Sequence, residues 1–105
     1  MDLSQLELHD AQLFAVHLDP VGRVAELSLA YYPNEQARER VPGLLRFTGV
    51  SHFNQIADLE QLESNANTGN VTQWVSGETP GVSYLYLVRG RIAVTAASVE
   101  LVAGA

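Results

Sequence analysis

The sequence predicts a mostly β (α+β) fold, with an antiparallel sheet of about six strands and one helix packed on it, in the order β-β-β-α-β-β-β. Six segments alternate apolar and polar side chains, and one segment repeats apolar side chains every three residues. Gly, Pro and Asn separate most of these segments. Since 105 residues is the length of one domain, we expect residues 1–105 to form a single β-rich domain.

A β-hairpin is predicted in the first third of the chain. One side of its first strand carries Phe14, Val16 and Leu18, and the other side carries Leu13, Ala15 and His17. The apolar positions of its second strand are Ala25, Leu27, Leu29 and Tyr31. Residues 19–22, Asp-Pro-Val-Gly, have the composition of a type I turn between the two strands.

The middle third contains the predicted helix. Residues 33–43, bracketed by Pro33 and Pro42, predict a solvated connection, and residues 44–50 a third strand in which Gly49 indicates a bulge or a close backbone approach. The helical stripe consists of Phe53, Ile56, Leu59 and Leu62. The candidate N-caps are Asn54 and Asp58, and the end is predicted at Asn65, Asn67 and Gly69.

Three further strands are predicted at residues 71–76, 82–88 and 92–102. Bulky side chains occupy both faces of residues 82–88, and residues 92–102 carry only one charge, Glu100, and no Pro to guard an edge. We therefore expect a homodimer that uses a sheet face or a sheet edge of these strands. The alternative is a sheet that curls over itself into a sandwich or barrel and hides both faces within one chain.

Composition excludes several classes of function. Six Arg, no Lys and twelve acidic residues give a net charge of -6, which argues against binding to a nucleic-acid backbone. The chain has no Cys, and without Lys it cannot carry a Walker loop. Residues 1–10 lack the basic and apolar regions of a targeting signal, and no run is long enough to span a membrane, so we expect a cytoplasmic protein.

Histidines are the main candidates for chemistry. His9 beside Asp10 has the residue types of a general base or a metal ligand, but adjacent strand residues point to opposite faces, and a strand start or cap is the alternative. His17 and His52 do not form a short metal-ligand pair with each other or with His9. We expect no metal, no cofactor and no enzymatic activity, with a pocket around His9 and Asp10 as the alternative.

Aromatic residues supply the candidate binding surface. Trp74, Tyr84 and Tyr86 lie on neighbouring predicted strands, and aromatic side chains with a polar tip are enriched at interfaces. Packing of all three in the core, with their polar atoms bonded, is the alternative.

Three short segments carry a resemblance: Leu8-His9-Asp10-Ala11-Gln12-Leu13, Phe47-Thr48-Gly49-Val50 and Gly90-Arg91-Ile92-Ala93-Val94. In these segments the chain resembles small bacterial β-rich domains, some of them immunity proteins of polymorphic toxin systems. The resemblance implies a non-enzymatic inhibitor that masks a toxin, and it transfers no defined functional residue. The acidic charge agrees with such a role, because a basic toxin would be attracted to it.

Overall fold

The computed structural model describes residues 3–77 and 80–104, in which the chain forms two four-stranded antiparallel sheets. Its elements are a 3₁₀ turn (Leu3–Gln5), β1 (Gln12–Asp19), β2 (Val24–Tyr31), β3 (Val41–Thr48), β4 (His52–Ile56), α1 (Leu59–Ser64), β5 (Val71–Val75), β6 (Gly81–Leu87), β7 (Gly90–Ala96) and β8 (Ser98–Ala103). Sheet A has the order β1-β2-β3-β8, and sheet B has the order β4-β7-β6-β5. The β-rich class with one helix is confirmed, whereas the single six-stranded sheet is wrong. The order with three strands on each side of the helix is also wrong, because four strands precede α1 and four follow it.

The two sheets pack face to face over one hydrophobic core. Alternate residues of both sheets point inward, which is the pattern of a sandwich. The Phe47 ring of sheet A lies 6.2 Å from the Trp74 ring of sheet B, at an interplanar angle of 53°. The buried apolar side chains are Leu3, Leu8, Ala11, Ala25, Leu27, Leu29, Tyr31, Leu45, Phe47, Val50, Val71, Trp74, Leu85, Leu87, Ile92, Val94 and Ala96.

The predicted β1–β2 hairpin is confirmed, but the faces of β1 are not as expected. Asp19 Oδ1 accepts hydrogen bonds from the turn amides of Val21 and Gly22. A β-bulge shifts the register between Leu13 and Ala15, so that Leu13 and Val16 both pack against the core. Phe14 is turned outward instead and is 64% exposed.

Strand β4 occupies the place where we expected the first half of the helix. Phe53 lies opposite Val94 of β7 and packs against the core, and Asn54 lies in the same strand, so Asn54 is not a helix cap. The three-residue spacing was misleading because pairing with β7 satisfies the backbone of this segment as well as a helix would. Helix α1 starts after Asp58, whose Oδ1 accepts from the Gln61 amide, which confirms the Asp58 cap.

One corner connects the two sheets. Strand β3 continues into β4, and β7 continues into β8, so one bent two-stranded ribbon contributes to both sheets. Gly49 has φ +63°, and a Cβ there would lie 2.7 Å from the Cβ of Ala97. The Ala97 amide donates to the carbonyl oxygens of Thr48 and Gly49. The expected close approach at Gly49 is therefore confirmed, and the single strand expected at residues 92–102 is broken at Ala97.

Candidate functional site

The outer face of sheet B points away from sheet A and is the candidate site. Strand registers place its side chains in three rows, two of which run across all four strands and one across β4, β7 and β6. We call this surface the tyrosine face; its residues are His52, Asn54, Ile56, Gln73, Val75, Val82, Tyr84, Tyr86, Arg91, Ala93 and Thr95. Packing of the second sheet, the arrangement given above as the alternative to a homodimer, covers the inner face of β6, while its outer face stays at the surface.

Three side chains form the centre of the tyrosine face. The Tyr84 and Tyr86 rings stack with centroids 6.0 Å apart and an interplanar angle of 25°. The guanidinium carbon of Arg91 lies 5.4 Å from the centroid of the Tyr84 ring, within cation–π distance. Adjacent paired strands hold all three residues, so backbone hydrogen bonds fix their relative positions.

Charge distinguishes the tyrosine face from the rest of this acidic chain. None of its residues is acidic, and Arg91 and His52 are its only basic residues. The outer face of sheet A instead carries a row of alternating charge in which Arg46 contacts both Glu26, at 3.0 Å, and Glu100, at 3.6 Å. The two outer faces of the sandwich therefore differ in both charge and aromatic content.

Trp74 does not belong to the tyrosine face. Its side chain points into the sandwich and is 7% exposed. The indole Nε1–H donates to the carbonyl oxygen of Leu3 at 3.0 Å, which satisfies the polar atom of the ring. Core packing therefore describes Trp74, whereas Tyr84 and Tyr86 are half-buried on the outer surface.

Arg91 belongs to this cluster, although the strands predicted at residues 82–88 and 92–102 leave it between them. The turn is formed by Val88 and Arg89, and Arg91 is already in β7 opposite Tyr86. Counting back across a two-residue hairpin turn is the signal that places Arg91 beside the tyrosines.

His9 and Asp10 do come together, in a way that strand geometry alone excludes. Asp10 has φ +65°, a left-handed conformation that Asp tolerates, and this brings its Oδ2 to 3.6 Å from His9 Nε2. His9 Nδ1 lies 3.0 Å from the Thr72 carbonyl oxygen, so this nitrogen carries the hydrogen. The Thr72 carbonyl and then the Asp10 carboxylate raise the pKa of His9 above its ordinary value of 6.5.

A half-open cleft of about 610 Å³ lies beside His9, between the N-terminal segment and the β2–β3 connection. Its lining residues are Gln5, Leu6, Glu7, His9, Tyr32, Pro33, Asn34, Glu35 and Ala37. Asp10 is not among them, His17 lies on the outer face of sheet A opposite Glu26, and His52 lies on the tyrosine face. The histidines therefore point to separate surfaces. Across residues 3–77 and 80–104 no three His, Asp or Glu side chains are grouped so that they could hold a metal ion.

In the described part of the chain, no helix has the length and apolar character needed to cross a membrane. Comparisons of the chain with protein-family models, with curated proteins and with solved structures find no match.

Proposed function

We propose that this protein is a non-enzymatic, cytoplasmic binding module that engages a protein partner through the tyrosine face. The observation that carries the proposal is the ordered cluster of Tyr84, Tyr86 and Arg91 on a surface without acidic residues, in a chain whose net charge is -6. Tyr and Arg are among the residues that most often dominate the binding energy of protein interfaces.

The surroundings of the cluster support a protein partner. Ile56 and Val75, at two sides of the tyrosine face, are 63% and 39% exposed. Gln73, Asn54 and Thr95 add neutral hydrogen-bonding groups among these apolar side chains. An apolar and aromatic centre with neutral polar groups around it is the usual composition of a specific interface.

An immunity-type protein that masks a toxin is the form of binding module that the sequence resemblance implies. The net charge of -6 supports it, because a basic toxin would be drawn to the chain over distances of about a Debye length, roughly 8–10 Å. In this proposal the acidic residues, which lie outside the tyrosine face, supply the long-range attraction, and the tyrosine face then makes the short-range contacts.

A small-molecule binding role is the second candidate, and the cleft beside His9 favours it. There His9 would present to a ligand an imidazole whose pKa is raised, and Tyr32 and Leu6 would supply apolar contacts. A ligand for this cleft would leave the tyrosine face free.

The proposal is tested by capturing binding proteins from an extract of cells that express the chain and then purifying each captured protein for titration. Three baits are compared: the wild type, Tyr84→Ala, and Ser28→Ala as a matched control on the outer face of sheet A. We expect a purified binding protein whose Kd rises about tenfold or more with Tyr84→Ala and stays within about twofold with Ser28→Ala. The proposal is overturned if every purified binding protein binds the Tyr84→Ala variant as tightly as the wild type, or if no direct binding is found.

A further inference from the structure

The two sheets have four edge strands, β1, β4, β5 and β8, and these differ in how well they are protected. We propose that β8 pairs antiparallel with β8 of a second copy of this chain, across a two-fold axis, so that sheet A continues from one copy into the other. This inference is independent of the partner that binds the tyrosine face.

The other three edge strands have structural features that oppose pairing with another chain. The bulge at Phe14 interrupts β1, and a second bulge interrupts β5 between Val71 and Gln73. The N-terminal segment also lies along β5, where the Asp10 amide donates to the Val71 carbonyl at 3.0 Å. Strand β4 has only five residues, most of them polar.

Strand β8 has none of these features. Its ladder with β3 runs from Ser98 to Ala103 without a register shift, and it contains no Pro. The Gly104 amide donates to the Pro42 carbonyl oxygen at 2.9 Å. This bond shows which residues of the segment direct their backbone N–H and C=O groups toward β3. Because backbone groups alternate in direction along a strand, the N–H and C=O groups of Val99, Leu101 and Ala103 point away from β3, toward the open edge.

Charge selects the second copy's register. Glu100 is the only charged residue of β8, and Arg46 of β3 contacts it at 3.6 Å. The outward groups permit two registers, with the two-fold axis at residue 100 or at Leu101. An axis at residue 100 places Glu100 directly opposite its own copy, which is unfavourable. An axis at Leu101 instead places Glu100 opposite Val102 of the second copy and brings two Leu101 side chains together.

The edge of β8 therefore complements itself. In this register Val99 and Ala103 of one copy exchange backbone hydrogen bonds with Ala103 and Val99 of the other, and the two Leu101 residues exchange theirs. Val99 and Leu101 already pack against the core from the inner side of sheet A, so pairing extends that apolar layer across the axis.

Two substitutions at Val102 test both the dimer and its register. Val102→Glu places like charges opposite each other across the axis, and Val102→Lys places opposite charges there. Both variants put a charged side chain at the same half-buried site on the outer face of sheet A, so each serves as the control for the other.

Size exclusion with light scattering, over a dilution series from tens of micromolar, measures the mass of the full chain. For the wild type we expect about twice 11.4 kDa at the highest concentration. The dimer Kd should rise about tenfold with Val102→Glu and be unchanged or lower with Val102→Lys. A mass near 11.4 kDa for the wild type at all concentrations overturns the proposal. A dimer that dissociates with Tyr84→Arg but is insensitive to both Val102 variants also overturns it, since the interface would then be the tyrosine face.

Discussion

Asn70 bonds to both backbone groups of Leu13: its Oδ1 accepts from the Leu13 amide at 2.7 Å, and its Nδ2 donates to the Leu13 carbonyl at 3.3 Å. The same Nδ2 donates to the carbonyl oxygen of Leu62 in α1 at 3.1 Å. The side chain is 2% exposed, so no solvent replaces these bonds. Asn70 therefore ties the start of β1 to the helix and to sheet B.

Replacing Asn70 with Ala should lower the free energy of unfolding by about 2–4 kcal/mol, because partly buried backbone groups of Leu13 and Leu62 lose their partner. Chemical denaturation followed by tryptophan fluorescence measures the change. Asn67→Ala is the matched control, since Asn67 is exposed and the bonds that we describe for it use only its carbonyl oxygen. Equal stability of the two variants would contradict the role of the Asn70 amide.

Arg40→Lys should cost about 1 kcal/mol of stability despite keeping the charge. The guanidinium donates to the carbonyl oxygens of Asp10, Asn67 and Thr68 at 3.0, 3.2 and 2.9 Å, and it lies 4.9 Å from the Tyr32 ring centroid. A lysine ammonium cannot reach three carbonyls in one plane. Arg38→Lys, in the same connection but exposed, should change the unfolding midpoint little. If Arg38→Lys lowered the stability as much as Arg40→Lys, the effect would come from changing the connection in general and not from the hydrogen bonds of Arg40.

Gly49→Ala should destabilise the protein by about 3 kcal/mol, through the left-handed backbone and through contact with Ala97. Gly104→Ala should have only the cost of the left-handed backbone, because its φ is +78° and no atom lies within 4 Å of the added Cβ. Its cost should be about 1 kcal/mol. Thermal unfolding of the two variants separates conformational cost from steric cost, and a smaller effect at Gly49 than at Gly104 would refute the close approach at the corner.

The imidazole of His9 should titrate above pH 6.5, and Asp10→Asn should lower its pKa, as NMR spectra recorded over a pH series will show. A pKa that is raised in the folded state contributes stability below the unfolded value, and this contribution is lost as pH rises through the folded pKa. The stability difference between the wild type and His9→Gln should therefore be largest below pH 6.5 and should shrink as pH rises through the folded pKa. A difference that grows with pH would reverse the sign that we assign.

Short sequence patterns predicted the features that depend on neighbouring residues, namely the first hairpin and the cap of the helix. The alternation of residues and the Asp19 turn gave the first hairpin, and Asp58 was a correct cap. The bulge at Phe14 escaped prediction because one extra residue reverses the alternation without changing composition. The break at Ala97 escaped because nothing in an alternating run shows that its second half changes sheets.

The candidate site was also predictable only in part. Tyr84 and Tyr86 alternate along one strand, so their common face follows from the sequence. Trp74 lies opposite Leu85, on the inner face, because of the β5 bulge, which the sequence does not show. The approach of Asp10 to His9 depends on a single left-handed residue in the N-terminal segment that contacts β5, and the sequence does not show that conformation.

The ribbon that turns at Gly49 and Ala97 makes the sandwich one cooperative unit. Strands β3 and β8 belong to sheet A, and their continuations β4 and β7 belong to sheet B. Separating the strands of either sheet therefore breaks hydrogen bonds of the ribbon that also forms part of the other sheet. Amide protons of β2 and β6 should therefore exchange with the same free energy, that of global unfolding. The ribbon also joins Gly43 to Ala103, so a long loop must close before either sheet is complete. We therefore expect folding in about milliseconds to seconds rather than microseconds, with both sheets forming in a single kinetic phase.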